Sequence, residues 1–144
     1  GMAGGQAIDL ASIGRPLDET QLRDMHRRKT GALLQASVLM GAACGQSDSR
    51  AWQGLSDYGA AIGLAFQVVD DILDVTQHSS KLGKTAGKDN DANKPTYVSV
   101  LGLAAARQHA QDLRAQALAA LDRSALADSA ALAMLADKVV ERDN

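Results

Sequence analysis

The sequence predicts an all-helical fold, and three features of its composition lead to that prediction. Alanine and leucine, both strong helix formers, are abundant, while aromatic residues make up only 3% of the 144 residues. Proline occurs only at Pro16 and Pro95. β-branched residues almost never alternate with polar ones in the pattern that is typical of strands. A chain of this length can bury a hydrophobic core, and we expect a helical bundle.

The bulk properties exclude several classes of function. The formal net charge is -2 and no run of basic residues forms an arm, so a nucleic-acid partner is not expected. No apolar stretch approaches the ~20 residues that a membrane-spanning helix needs, and we expect no signal peptide. The single cysteine, Cys44, argues against an internal disulfide and a multi-cysteine zinc site. We therefore expect a cytoplasmic protein.

Apolar periodicity and capping residues place the helices. Residues 1–16 are typical of the end of a helix that runs into a loop. Asp18 and Gln21 form a capping-box pattern at the start of a long helix that ends near Cys44. Three further helices are predicted, with a long polar loop after the first of them and Pro95 in the first turn of the second: 49–76, 96–121 and 124–142, the loop being 78–94.

The segment from Gly63 to Asp74 carries the residues that most clearly indicate chemistry. Residues three and four apart share a helix face, so Gln67, Asp70 and Asp74 line up with Gly63, and Asp71 lies about 100° away. Mg²⁺ takes one or two carboxylates together with phosphate oxygens, and a cation relieves the repulsion between crowded carboxylates. The three aspartates are therefore candidate magnesium ligands, the alternative being a solvated acidic face. Gly63 either leaves room for a ligand or serves ordinary helix packing.

Basic residues lie on both sides of this segment. Four lysines fall within 14 residues at the polar loop, as expected for a site that binds a polyanion through metal: Lys81, Lys84, Lys88 and Lys94. The alternative is a solvated loop whose lysines balance its aspartates. Lys29, followed by Thr30, lies at the edge of an apolar stripe, where a lysine usually extends to water and less often faces an anion.

Five segments resemble those of the trans-polyprenyl diphosphate synthases, and of the bacterial farnesyl diphosphate synthases most closely. They stand in the family's order and span nearly the whole chain: GGQAIDL (4–10), HRRKTGALLQAS (26–37), GLAFQVVDDILD (63–74), LGKTAGKD (82–89) and NKPTYVSVLG (93–102). The resemblance implies an all-α fold of the isoprenoid synthase type. It also implies a magnesium-dependent prenyltransferase of isoprenoid biosynthesis that acts as a homodimer.

The resemblance further implies roles for individual residues. The second aspartate-rich motif, which helps to bind magnesium and the allylic diphosphate, is matched by Asp70, Asp71 and Asp74. Lysines that contact this diphosphate are matched by Lys29 and Lys84. A further basic position near the pocket mouth, also assigned to diphosphate binding, is matched by Lys94. Catalytic groups whose oxygens face the allylic carbocation are matched by Thr30, Gln67 and the backbone around Lys29. Residues that support the pocket are matched by Gln6 and Asp9.

The reaction implied is the condensation of isopentenyl diphosphate with dimethylallyl or geranyl diphosphate to give farnesyl diphosphate. The family also needs a first aspartate-rich motif with arginines after it, and this chain contains neither. We therefore expect the C-terminal portion, residues 1–144, of a single synthase domain, inactive by itself. The alternatives are a geranylgeranyl or other short-chain prenyl diphosphate synthase, a non-catalytic helical regulatory subunit of one, and an unrelated helical bundle.

Overall fold

The structure, a computed structural model, describes residues 1–81 and 95–142, but not the side chains of 77–81. Every regular element in these ranges is helical. The prediction of an all-α fold is thereby confirmed. In chain order the elements are α1 (Met2–Ala11), α2 (Glu19–His26), a π-helical turn (Arg27–Gly31), α3 (Ala32–Cys44), α4 (Ser49–Lys81), α5 (Tyr97–Leu101), α6 (Leu103–Ser124) and α7 (Ala130–Glu141).

The capping box predicted at Asp18 is present. The Asp18 carboxylate accepts a hydrogen bond from the Gln21 backbone N–H at 2.8 Å, and the Gln21 side chain accepts one from the Asp18 N–H at 3.1 Å. These two bonds satisfy amide groups that a helix start leaves without partners. The long helix predicted from Asp18 to Cys44 is therefore correct in extent, with the π-helical turn inside it.

Three predicted boundaries are wrong. Helix α4 continues through Lys81, so residues 78–81 are helical, because neither proline nor glycine interrupts the chain before Gly83. The single helix predicted for 96–121 is two, since Gly102 adopts a φ of +84°, which only glycine takes without strain. Ala125 adopts a left-handed conformation after α6, and the last helix accordingly begins at Ala130 rather than at Ser124.

Helix α4 forms the centre of the bundle, with α6 and α3 packed against it. One core cluster joins α2, α4, α5 and α6 through side chains that include Leu22, Val68 and Tyr97. A second cluster joins α3, α4, α6 and α7 around the fully buried Tyr58. Among the described residues, no helix is long and apolar enough to cross a membrane.

A close approach between Gly63 and Gly31 positions α4 against the π-helical turn. A Cβ atom on Gly63 would lie 2.7 Å from the Gly31 Cα atom. Real Cβ atoms do not approach a neighbour this closely, so position 63 must lack a side chain for α4 to contact the π-helical turn. Of the two explanations for Gly63, close helix packing is therefore the one that the structure supports.

Candidate active site

Thr30 and Gln67, which lie 37 residues apart in sequence, meet where the π-helical turn contacts α4. The Thr30 hydroxyl donates a hydrogen bond of 2.6 Å to the Gln67 side-chain oxygen. Gln67 is only 7% exposed. Single π-helical turns inside α-helices often occur at functional sites, because they redirect side chains. The two residues expected to act together are thus neighbours in the structure.

Lys29, from the same turn, is paired with Asp9 of α1. The Lys29 Nζ atom lies 2.6 Å from an Asp9 carboxylate oxygen, and Asp9 is buried. Helix α1 comes this close because Gly5 lies against the Lys29 backbone, where a Cβ atom would overlap the Lys29 nitrogen. The structure therefore gives Asp9 a direct contact, while Gln6 is half-buried on the same helix. The Lys29 side chain stays 32% exposed.

The three aspartates of the motif at 70–74 do not share one environment. Asp70 and Asp74 lie one helical turn apart, with Asp74 exposed and the Asp70 side chain 51% exposed. Asp71 is only 8% exposed and accepts a hydrogen bond of 2.7 Å from the Tyr97 backbone N–H. Burial raises the pKa of the Asp71 carboxyl to about 7, the charges of Asp70 and Asp74 act in the same direction, and the Tyr97 hydrogen bond opposes them.

Two of these three aspartates offer carboxylates that suit a magnesium ion. Within residues 1–81 and 95–142, no group of three or more His, Cys, Asp or Glu side chains is arranged to hold a metal ion. Asp70 and Asp74 nevertheless offer two solvent-facing carboxylates on one helix face, which suits an ion that completes its shell with water and phosphate oxygens. The assignment of all three aspartates as metal ligands stays a prediction.

The predicted lysines of the polar loop lie outside the described residues. Lys84, Lys88 and Lys94 fall in 82–94, and Lys81 belongs to the segment whose side chains are not described. Their proposed contacts with a diphosphate stay predictions. Of the candidate basic residues, Lys29 is the one that the structure places, about one helical turn from His26 and beside Thr30.

Arg142 is a residue near the site that the sequence did not indicate. Its guanidinium lies 4.3 Å from the centre of the Phe66 ring and donates to the Phe66 carbonyl oxygen at 3.2 Å. It also lies 3.3 Å from an Asp70 carboxylate oxygen. The 72 residues between Arg142 and Asp70 explain why no local pattern could have revealed the contact.

His26 is buried beneath the same turn. Its imidazole packs against the Tyr97 ring with 5.6 Å between ring centres. Burial lowers the pKa of His26 to about 4, and the Lys29 charge acts in the same direction, while Asp9 and Asp70 oppose it. The neutral imidazole is therefore part of the core, and the sequence alone assigned it no function.

Comparison with known proteins identifies the family. The profile described as "Polyprenyl synthetase" matches residues 1–134, so the chain belongs to the polyprenyl synthetase family. It is 50% identical over 121 residues to a "Probable farnesyl diphosphate synthase" of Sinorhizobium fredii (strain NBRC 101917 / NGR234), with 81% of this chain and 36% of that protein covered. It is 45% identical over 147 residues to "Farnesyl diphosphate synthase" of Escherichia coli (strain K12), with 99% and 49% covered.

A solved structure with the same fold is a geranyltransferase from Helicobacter pylori complexed with magnesium and isoprenyl diphosphate. It has a TM-score of 0.73 and 38% identity, and the similarity covers 99% of this chain and 46% of that one. The chain thus spans about a third to a half of the length of the relatives it matches. The predicted family and fold are confirmed by these similarities.

Proposed function

We propose that the full-length protein containing this chain is a prenyltransferase that condenses isopentenyl diphosphate with dimethylallyl or geranyl diphosphate to give farnesyl diphosphate. The observation that carries this proposal is the 2.6 Å hydrogen bond between Thr30 and Gln67, because it joins the Lys29–Thr30 turn to the aspartate helix. Relatives named as farnesyl diphosphate synthases support this product.

Several residues of this chain could stabilise a diphosphate as it leaves the allylic substrate. Asp70 and Asp74 would hold magnesium, which supplies positive charge to the oxygens of the leaving diphosphate. Lys29, oriented by Asp9, would bind another diphosphate oxygen. We assign Lys84 and Lys94 to the same diphosphate through the family resemblance.

Thr30 and Gln67 suit the stabilisation of the carbocation that remains. The Thr30 hydrogen is directed to Gln67, which leaves oxygen lone pairs of both groups free to face a positive charge. The isopentenyl double bond then forms a carbon–carbon bond to the allylic carbon that lost diphosphate. A proton leaves the new cation for the released diphosphate, so no side chain has to serve as the base.

We further propose that residues 1–144 are the C-terminal portion of one synthase domain, and that the full-length protein is a cytoplasmic homodimer. The coverage of the relatives supports the first part, since this chain matches less than half of each. The exposed apolar side chains of α3 are consistent with further polypeptide covering that helix, Leu33 and Met40 being its largest. Light scattering of the full-length protein measures the oligomeric state directly.

The test is product analysis with the full-length protein. Labelled isopentenyl diphosphate, geranyl diphosphate and Mg²⁺ should give farnesyl diphosphate, identified by chain length after dephosphorylation. Turnover by the Asp70→Ala variant should fall roughly 10²-fold or more. The reason is that a bound metal ion stabilises the charge on the leaving diphosphate in the transition state by several kcal/mol. Absence of any condensation would contradict the proposal, a C20 product would favour a geranylgeranyl synthase, and activity that appears only with a second polypeptide would favour a regulatory subunit.

A further inference from the structure

The three aspartates of the motif at 70–74 are identical in chemistry, but the structure gives them different partners. Asp70 and Asp74 face outward on one side of the helix, whereas Asp71 points into the protein and is only 8% exposed. The 100° that separates adjacent residues on a helix makes this division unavoidable once α4 packs against its neighbours. One carboxylate of the motif therefore lies on the core side of the helix.

Asp71 makes a specific contact on that side. Its carboxylate accepts the Tyr97 backbone N–H at 2.7 Å, and both groups are buried. Tyr97 is the first residue of α5, and its ring is fully enclosed between His26 and His109, with ring centres 5.6 Å and 5.3 Å away. The hydrogen bond thus ends on a fully buried residue.

Helix α5 depends on such an external partner. It has only five residues, Tyr97–Leu101, and is separated from α6 by the positive φ of Gly102. A helix this short is not stable by itself. Thr96 and Ser99 cap each other's backbone N–H groups, at 3.1 Å and 2.9 Å, but neither reaches the Tyr97 N–H. Asp71 is the group that satisfies this buried donor.

We propose that Asp71 is a positioning residue that anchors the start of α5 to α4, and that magnesium is bound by Asp70 and Asp74 without it. The inference rests on the proposed function in so far as it assigns metal binding to the other two aspartates. The anchoring role itself follows from the Asp71–Tyr97 contact and holds whatever ligand the exposed face binds.

The experiment compares three variants of the full-length protein: Asp71→Asn, Asp71→Ala and Asp70→Asn. Each is measured for the Mg²⁺ concentration that gives half-maximal activity, for kcat, and for hydrogen exchange of the peptide covering 95–101. Asparagine keeps a carbonyl oxygen that can accept the Tyr97 N–H, while alanine does not. Asp70→Asn is the matched control, because it makes the same chemical change one residue away on the exposed face.

We expect Asp71→Ala to speed hydrogen exchange in 95–101 by about 10-fold or more, because α5 loses its anchor. The variant should also have a lower kcat, since a shift of about 1 Å in the groups of an active site can lower the reaction rate roughly 10²-fold. Asp71→Asn should restore slow exchange and recover part of kcat, and neither change should shift the Mg²⁺ requirement by more than about 2-fold. Asp70→Asn should raise that requirement about 10-fold or more and leave exchange as in the unaltered protein.

Two results would overturn the inference. One is an Asp71→Asn variant whose Mg²⁺ requirement rises as far as that of Asp70→Asn. The other is unaltered exchange of 95–101 in Asp71→Ala. Failure of the proposed function gives a different result, because the unaltered protein would then show no condensation activity, while the exchange measurement would still report on the anchor. If Asp71→Ala does not fold, Asp71→Asn alone decides between the two roles through its Mg²⁺ requirement.

Discussion

The Lys29 side chain is held by a residue twenty positions earlier, which suits the diphosphate-binding role proposed for it. The lysine amine would be free to sample many positions in water if Asp9 did not hold it at 2.6 Å. Asp9 is buried and close to the lysine because α1 contacts the π-helical turn through Gly5. A lysine that is oriented before the ligand arrives loses less entropy when it binds a diphosphate.

We expect Asp9→Asn to lower kcat/KM for the allylic diphosphate about 10-fold in the full-length protein, because the lysine is no longer held by a charge. The free energy of unfolding should fall by about 1–2 kcal/mol. This is less than the loss expected when a fully buried ion pair is broken, because Lys29 is partly exposed. Steady-state kinetics and urea unfolding measure the two effects. Asp24→Asn is the control, because the ion pairs of Asp24 with Arg27 and Arg28 are exposed and should contribute little to stability. Equal effects of Asp9→Asn and Asp24→Asn would contradict this role of Asp9.

His26 leads to a prediction about acid stability. The unfolded chain protonates this histidine near its usual pKa of 6.5, whereas burial lowers the folded-state pKa to about 4. The unfolded state therefore binds more protons between these values, and stability is lost as the pH falls from about 6.5 towards 4. At pH 5 the loss should be about 2 kcal/mol. Asp71 acts in the opposite sense, because its raised pKa makes the folded state take up the proton first.

The His26 contribution can be separated by comparison with the variant His26→Gln. Urea unfolding of the purified chain at pH 7.5 and pH 5 gives the change in unfolding free energy for each protein. The change from pH 7.5 to pH 5 should be less unfavourable in the variant by about 2 kcal/mol. The same pH dependence in both proteins would show that His26 is not kept neutral by the fold.

At the level of elements, the site depends on how closely α4 approaches the π-helical turn. Gly63 and Gly31 are in contact, and the Thr30–Gln67 hydrogen bond lies about one turn further along α4. Sequence periodicity placed both segments on helices, and the capping box at Asp18 was predictable because all its atoms belong to neighbouring residues. The break at Gly102 was not predictable, since glycine occurs inside α4 without breaking it.

Gly63→Ala should destabilise the chain by about 1–3 kcal/mol, because its Cβ would lie 2.7 Å from the Gly31 Cα atom and the two elements must separate. Gly41→Ala is the matched control, also within a helix, where a Cβ would meet nothing within 4 Å. That change should stabilise by about 0.5–1 kcal/mol through helix propensity. Urea unfolding of both variants measures the difference, and a neutral or stabilising Gly63→Ala would contradict the close packing.

For the whole molecule, the described residues form a helical bundle built around α4, and α3 is largely exposed on it. Helix α3 is apolar on nearly all sides, yet of its residues only Ala42 is buried. A helix of this composition is normally enclosed. The coverage of the relatives, below one half, indicates how much further polypeptide such proteins have.

We expect the purified 144-residue chain to form no farnesyl diphosphate from geranyl and isopentenyl diphosphates in the presence of Mg²⁺. It carries one aspartate-rich motif, and the resemblance implies that a second one is required. The full-length protein should be active and should lose that activity when EDTA removes the metal, with recovery on addition of Mg²⁺. Product formation by the short chain would disprove the expectation, and activity in EDTA would argue against metal-assisted departure of diphosphate.

The sequence by itself determined the helical class, the cap at Asp18 and the family, because each of these depends on local spacing or on short motifs. It also predicted which residues form the site. The tertiary structure decided which of those residues touch. It brought three pairs of side chains into contact that are 20, 37 and 72 residues apart in the sequence: Asp9 and Lys29, Thr30 and Gln67, and Arg142 and Asp70. It also separated Asp71 from Asp70 and Asp74, since only the packing of α4 determines which side of a helix is buried.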